Sequence, residues 1–167
     1  MRVLAIDPAL RNTGYAVIER EGKDFRALAY GTISNKPKLL QSGCLVAIRE
    51  AIHVVIQKHH PECCAVEAVI YVQSYKTAII MGAARGAAVL AAAEHGLPVY
   101  EYAPKRVKQA VVGKGAADKQ QVAFMVRALL NLTETPDPDA ADALAIGMAH
   151  FYMSEGPTAV TGDQKRI

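Results

Sequence analysis

The sequence is poor in the patterns that mark disulfide-stapled, zinc-bound and membrane-spanning proteins. Cysteine is scarce: three residues, an odd number, cannot form a complete disulfide framework. Cys63 and Cys64 are adjacent and in a strand would point to opposite faces, so the three read as reduced core residues. No CxxC pair and no cysteine–histidine ladder offers a zinc site. Long apolar runs are missing too, because Glu67, Lys76, Arg85 or Glu94 breaks each candidate short of the ~20 apolar residues a bilayer crossing needs. Only four apolar residues separate Arg2 from Asp7, too few for a secretory leader, so a cytoplasmic protein with no membrane partner is expected. Charge of one sign is also in short supply: 19 basic against 16 acidic residues leave +3, too little to establish a nucleic-acid partner alone.

What is present suits one globular core. The chain has 167 residues, 51% hydrophobic and 21% charged, and carries neither an internal repeat nor an interdomain linker. Residues 2–7 and 13–19 read as strands joined by a tight turn after Asp7-Pro8, and residues 25–33 as a third strand completing an antiparallel meander. An amphipathic helix follows over 38–60, with Leu45, Ile48, Ile52, Val55 and Ile56 on one stripe and Pro61 ending it. A strand at 63–69, an alanine-rich helix at 74–94 and a short strand at 99–102 come next. Helices at 119–130 and 138–153 close the domain, the second with Asp137 at its N-cap and Pro138 in its first turn. The expected class is α/β, a five-stranded mixed sheet flanked by helices over residues 1–153, with residues 154–167 a flexible tail.

Acids placed where a core should be are the informative feature. Asp7 ends the run VLAID, Glu67 sits inside CAVEAVI, and Asp142 lies among alanine and leucine on the packed side of its helix. An isolated buried carboxylate is costly unless it meets a cation or several donors. Asp139, three residues before Asp142, stands about 60° from it around the helix axis and makes a pair. Helix-dipole stabilisation alone explains an acid such as Asp139, and turn capping alone explains Asp7; Glu67 and Asp142 resist both accounts. Four converging carboxylates are hard oxygen donors that suit Mg2+ or Mn2+, two ions per active site, in phosphoryl transfer.

Several segments carry a family resemblance: IDPALRNTGYAVIE from 6, VEAVI from 66, ARGAAVLAA from 84, VYEYAPKRVKQAVVGKGAADKQQVAFMVRALL from 99 and PDAADALAIGMAH from 138. In order and spacing they resemble the RuvC family of Holliday-junction resolvases, over residues 2 to about 153. The resemblance implies an RNase H-like fold, a homodimer, and Mg2+-dependent symmetric nicking of four-way DNA junctions, and leaves open whether a branch-migration motor is a further partner. It places the catalytic acids at Asp7, Glu67, Asp139 and Asp142, and a phosphate-contacting, catalysis-supporting lysine pair at Lys108 and Lys119. With those four acids neutralised by metal, 12 acids face 19 basic residues, an effective +7, and a polyanionic partner becomes reasonable.

Lys105, Arg106, Lys108, Lys114 and Lys119 form a basic run that reads either as a solvated face or as a DNA-binding surface. Two places depart from the family pattern. Ala9-Leu10 follow Asp7-Pro8, where the family has glycine and a small polar residue. Ile70-Tyr71 stand where the family carries a wedge phenylalanine, leaving Ile70, Tyr71 or Tyr75 to act on the junction centre. His59, His60 and His150 are expected to stay outside the metal site. The small-residue helix face around Gly82 and Gly86 suits close packing, in the core or against a second subunit. An actin-like ATPase would also open on a strand, an aspartate and a turn, but needs a second such domain; a non-catalytic junction-binding protein of the same fold would not need the four acids.

Overall fold

The computed structural model describes residues 1–69, 74–155 and 165–167. The meander forms as expected from β1 (Arg2–Asp7), β2 (Asn12–Glu21) and β3 (Asp24–Ser34). Helix α1 (Gln41–His59), strand β4 (Cys63–Glu67), helix α2 (Tyr75–Glu94) and strand β5 (Val99–Tyr102) follow. Three helices come next, α3 (Pro104–Val112), α4 (Lys119–Leu129) and α5 (Pro138–Glu155), and a two-residue strand β6 (Lys165–Arg166) ends the order.

The sheet order is β3-β2-β1-β4-β5-β6. Strands β1, β4 and β5 run parallel, while β2, β3 and β6 are antiparallel to their neighbours. Six strands therefore replace the expected five. The additional strand lies in the stretch expected as a free tail: Tyr100 pairs with Arg166 and Glu101 with Lys165, and the Ile167 amide donates to the Val99 carbonyl at 3.0 Å. Two paired residues carry almost no periodic signal, but they cover the open hydrogen-bonding edge that β5 would otherwise present.

Helices cover both faces of the sheet. Val3 through Ile6 are fully buried, as expected for a parallel strand covered on both sides. Side-chain alternation divides them: Leu4 and Ile6 pack with Val17, Cys64 and Val66 against α1 and α2, whereas Val3 and Ala5 pack with Ile18, Cys63 and Ala65 against α3, α4 and α5. All three cysteines are free and buried.

Helix α1 starts at residue 41, not 38, because the Arg11 guanidinium donates to the carbonyls of Lys36 (2.7 Å) and Leu39 (3.0 Å) and holds that turn outside the helix. Helix α3 has no counterpart in the sequence-based elements, since its polar stretch buries only Val107 and Val111. Among the described residues, α2 is long and apolar enough to cross a membrane by length and composition, through its many alanines. It instead lays Ala84, Ala88, Ala91 and Ala92 into the core beside α1 and carries Lys76, Arg85 and Glu94.

Helix α5 lies closest to the sheet, and small residues permit this. A Cβ at Gly147 would stand 2.8 Å from Ile18 Cδ1 and 3.2 Å from Ala5 Cβ. Overpacking that contact with a β-branched side chain is expected to cost about 1–3 kcal/mol. Gly147→Val should therefore lower the urea midpoint of unfolding with little change in slope; an unchanged midpoint would show that α5 does not rest on the sheet at this residue.

Candidate active site

The strand register brings the first two acids together. Ile6 pairs with Val66 across the parallel β1–β4 ladder, so Asp7 and Glu67 occupy the next positions, at the C-terminal ends of neighbouring strands about 4.8 Å apart. Both share parity with Val3, Ala5, Cys63 and Ala65 and project toward the face covered by α5. That helix supplies Asp139 from its first turn and Asp142 from the next. All four side chains are partly buried, at the rim of the core rather than inside it.

Gly14 sets the approach of α5. It pairs with Asp7 across the hairpin, and a Cβ there would lie 1.9 Å from the Asp139 carbonyl oxygen, so the first turn of α5 reaches Asp7 only over a residue without a side chain. Sequence reasoning missed this role; a glycine inside a strand, opposite the key acid, was the available signal. The turn after Asp7 is held from within. The buried Thr13 hydroxyl donates to the Ala9 carbonyl at 2.6 Å and accepts from the Ala9 amide at 3.3 Å, while Asn35 Nδ2 donates to the Leu10 carbonyl at 2.8 Å. Ala9-Leu10 thus form an ordered turn without the family's glycine.

The electrostatics fit a cation site. Asp7 is pushed up to about 6, first by burial and then by the negative charges of Asp142 and Asp139, with Lys119 opposing. Glu67 is pushed up to about 7 by burial and by Asp7 and Asp142, opposed by Lys119 and Lys108. Asp7 therefore feels Asp142 and Asp139, and Glu67 feels Asp7 and Asp142. Among the described residues no three His, Cys, Asp or Glu side chains already close into a cage.

The lysines divide by role. Lys119 Nζ donates to Asp142 Oδ2 at 2.9 Å, and this bond raises the Lys119 pKa. Lys108, half-buried on α3, lies within electrostatic reach of Glu67. Lys105 and Arg106 are exposed on α3, and Lys114 is exposed in the link to α4. Gly113, with φ of 80°, caps α3, and Gly115 packs on Lys105, so both glycines shape this link. Tyr75 opens α2 and is exposed, while Ile70 and Tyr71 lie outside the described residues. His150 stays out of the acid cluster: its ring nitrogens meet the Tyr102 hydroxyl (2.7 Å) and Cys63 Sγ (3.4 Å), and burial pushes it down to about 4.

Raised carboxylate pKa values destabilise the ionised folded state. Between the unfolded value near 4 and the folded values of about 6 and 7, the native state binds more protons than the unfolded one, so stability falls as pH rises. In chelator, the protein should lose roughly 1–3 kcal/mol per group across that window. Asp7→Asn should raise the melting temperature at pH 8 by about 3–6 °C. Melting curves from pH 4 to 8 check both; a variant that melts below wild type throughout would contradict the electrostatic account.

The family profile described as crossover junction endodeoxyribonuclease RuvC matches residues 3–150. The enzyme of that name from Akkermansia muciniphila is 58% identical over 167 residues, all of both chains. That from Caldanaerobacter subterraneus is 44% identical over 153 residues, 91% of this chain and 93% of the relative. Thermus thermophilus RuvC, solved in complex with a Holliday junction substrate, superposes with a TM-score of 0.89 at 36% identity, covering 100% of this chain and 99% of the other. The yeast mitochondrial Holliday junction resolvase shares the fold alone, with a TM-score of 0.62 at 13% identity, over 90% of this chain and 79% of its own. The α/β architecture is thus of the RNase H-like type, and the chain belongs to the RuvC family of crossover junction endodeoxyribonucleases.

Proposed function

We propose that this protein resolves four-way DNA junctions by paired, symmetric, metal-dependent nicks in recombination and repair. The observation that carries this reading is the meeting of Asp7, Glu67, Asp139 and Asp142 at one end of the sheet, with Lys119 bonded to one of them and Lys108 close to another. These acids would hold Mg2+, for which Mn2+ can substitute, two ions per site. When bound, such ions supply the Lewis acidity that activates water for in-line attack and stabilises the leaving 3′ oxygen, giving 5′-phosphate and 3′-hydroxyl ends.

The chain's own residues orient and neutralise. Burial and like charge make Asp7 and Glu67 poor anions when alone, which favours a cation between them. The Lys119–Asp142 pair is exposed enough, 70% on the lysine side, to be worth only about 0.2–1 kcal/mol. Lys119 is therefore free to exchange its carboxylate partner for a phosphate oxygen as the strand arrives. Lys108 would add positive charge on the Glu67 side, and Lys105, Arg106 and Lys114 would contact the DNA backbone without reading its sequence. Tyr75 stands at the exposed start of α2 for contact with junction bases.

A substrate with near-twofold symmetry calls for two matched sites, which a homodimer supplies. Helix α2 offers a surface for it: Ile79, Gly82, Gly86, Leu90 and Ala93 recur at three- and four-residue intervals and all are exposed. A branch-migration motor in the cytoplasm would be the further partner.

Two outcomes test the reading. Asp142→Asn should retain junction binding in a gel-shift assay and lose nicking by roughly 10²- to 10³-fold; near wild-type nicking on a mobile junction would refute it. Gly86→Arg places a side chain where nothing lies within 4 Å, so the subunit should fold normally. Sedimentation should then report monomers, with uncoupled single nicks; an intact dimer would remove α2 from the interface.

A further inference from the structure

The geometry points to Phe124 as a stacking platform for an unstacked base of the DNA strand that enters the active site, within about two nucleotides of the scissile phosphate. The inference rests on the nuclease reading above and names a contact which that reading leaves open. Helix α4 buries Val122 and Val126, while Phe124 is 67% exposed. The other two phenylalanines of the chain, Phe25 and Phe151, pack on each other with ring centroids 5.4 Å apart.

Phe124 lines three surface cavities, and one of them is also lined by Lys119, the hydrogen-bond partner of Asp142. That cavity, about 390 Å³, is bordered by Lys119, Gln120, Ala123, Phe124, Pro136 and Pro138. Lys119 therefore lines the same recess as Phe124 while its ammonium holds Asp142 at 2.9 Å, and Pro138 directly precedes Asp139. The lining thus combines apolar surface, a flat aromatic ring, an amide and a lysine. This is the pattern of a nucleotide, its base on the ring and its phosphate beside the amine. On the helix side charge suits this occupant, because α4 contains Lys119 and Arg127 and no acidic residue, while Glu134 and Asp137 flank the lining residues Thr135, Pro136 and Pro138.

Reach also agrees. Lys119 and Phe124 are about 7.5 Å apart along the helix axis and line one cavity, a span that one or two nucleotides can cover. A phosphate at Lys119 therefore leaves a base one or two positions away over Phe124. The exchange point of a four-way junction provides a base that is easily unstacked, since adjacent base pairs there belong to different arms and stacking is interrupted.

Junctions carrying the fluorescent analogue 2-aminopurine one or two nucleotides from the scissile phosphate test the contact. Binding and quenching are read in an Asp142→Asn background, and nicking in the otherwise wild-type protein with Mg2+. Phe124→Ala should abolish the quench and raise KM roughly 10- to 100-fold, with kcat at saturating junction within about threefold of wild type. Phe124→Trp should restore both, and Phe124→Leu should restore neither, while all three melt close to the parent. Phe124→Ala behaving as the parent, or Phe124→Leu rescuing as well as Phe124→Trp, would overturn the stacking inference and leave the nuclease reading intact. Phe124-dependent quenching in a protein that never nicks would overturn the nuclease reading alone; no junction binding at all would overturn both.

Discussion

The structure depends on a repulsion that folding has to tolerate. Asp7 and Glu67 end adjacent parallel strands, and α5 brings Asp142 and Asp139 toward them at the rim of the core. Burial and mutual charge push the first two carboxyls to about 6 and 7, so the chain alone carries an electrostatic cost that a bound cation would reverse. Strain of this kind persists only where the surrounding packing over-determines it. Here that packing is the fully buried Val3–Ile6 stretch of β1 on one side and the alanine-rich α5 on the other.

Precision comes from small residues and from strand alternation. A period of two sends Asp7 and Glu67 to one face and Ile6 and Val66 to the other, so the strands build the α1–α2 layer and the site together. Gly14 and Gly147 allow α5 to lie against the hairpin, which fixes the position of two acids relative to the other two. Thr13 and Asn35 hold the turn between β1 and β2 through the carbonyls of Ala9 and Leu10. The lysines are held more loosely. Lys119 is mostly exposed and bonded to a carboxylate at a cost small enough for a phosphate to repay.

Much of this is legible in the chain. Apolar runs interrupted by one acid mark Asp7, Glu67 and Asp142, because a core tolerates a carboxylate only for a reason; Asp139 follows from its three-residue spacing. The opening meander, α1, β4, α2 and β5 follow from periodicity and from proline and glycine stops. What escapes has physical causes. Helix α3 shows only a two-residue apolar stripe, β6 is too short to have a pattern, and Gly14 acts through a tertiary contact with Asp139 that no local window contains. Phe124 was visible as an aromatic off the apolar stripe of α4, but its meaning depends on Pro136 and Pro138 folding beside it.

Anomalous diffraction from crystals of this protein soaked in Mn2+ tests the central claim most directly. The account predicts density between the ends of β1 and β4 and the first turns of α5, in contact with Asp7 and Glu67 and with at least one of Asp139 and Asp142. Ions bound elsewhere, with these four side chains turned apart in a protein that still nicks junctions, would contradict it.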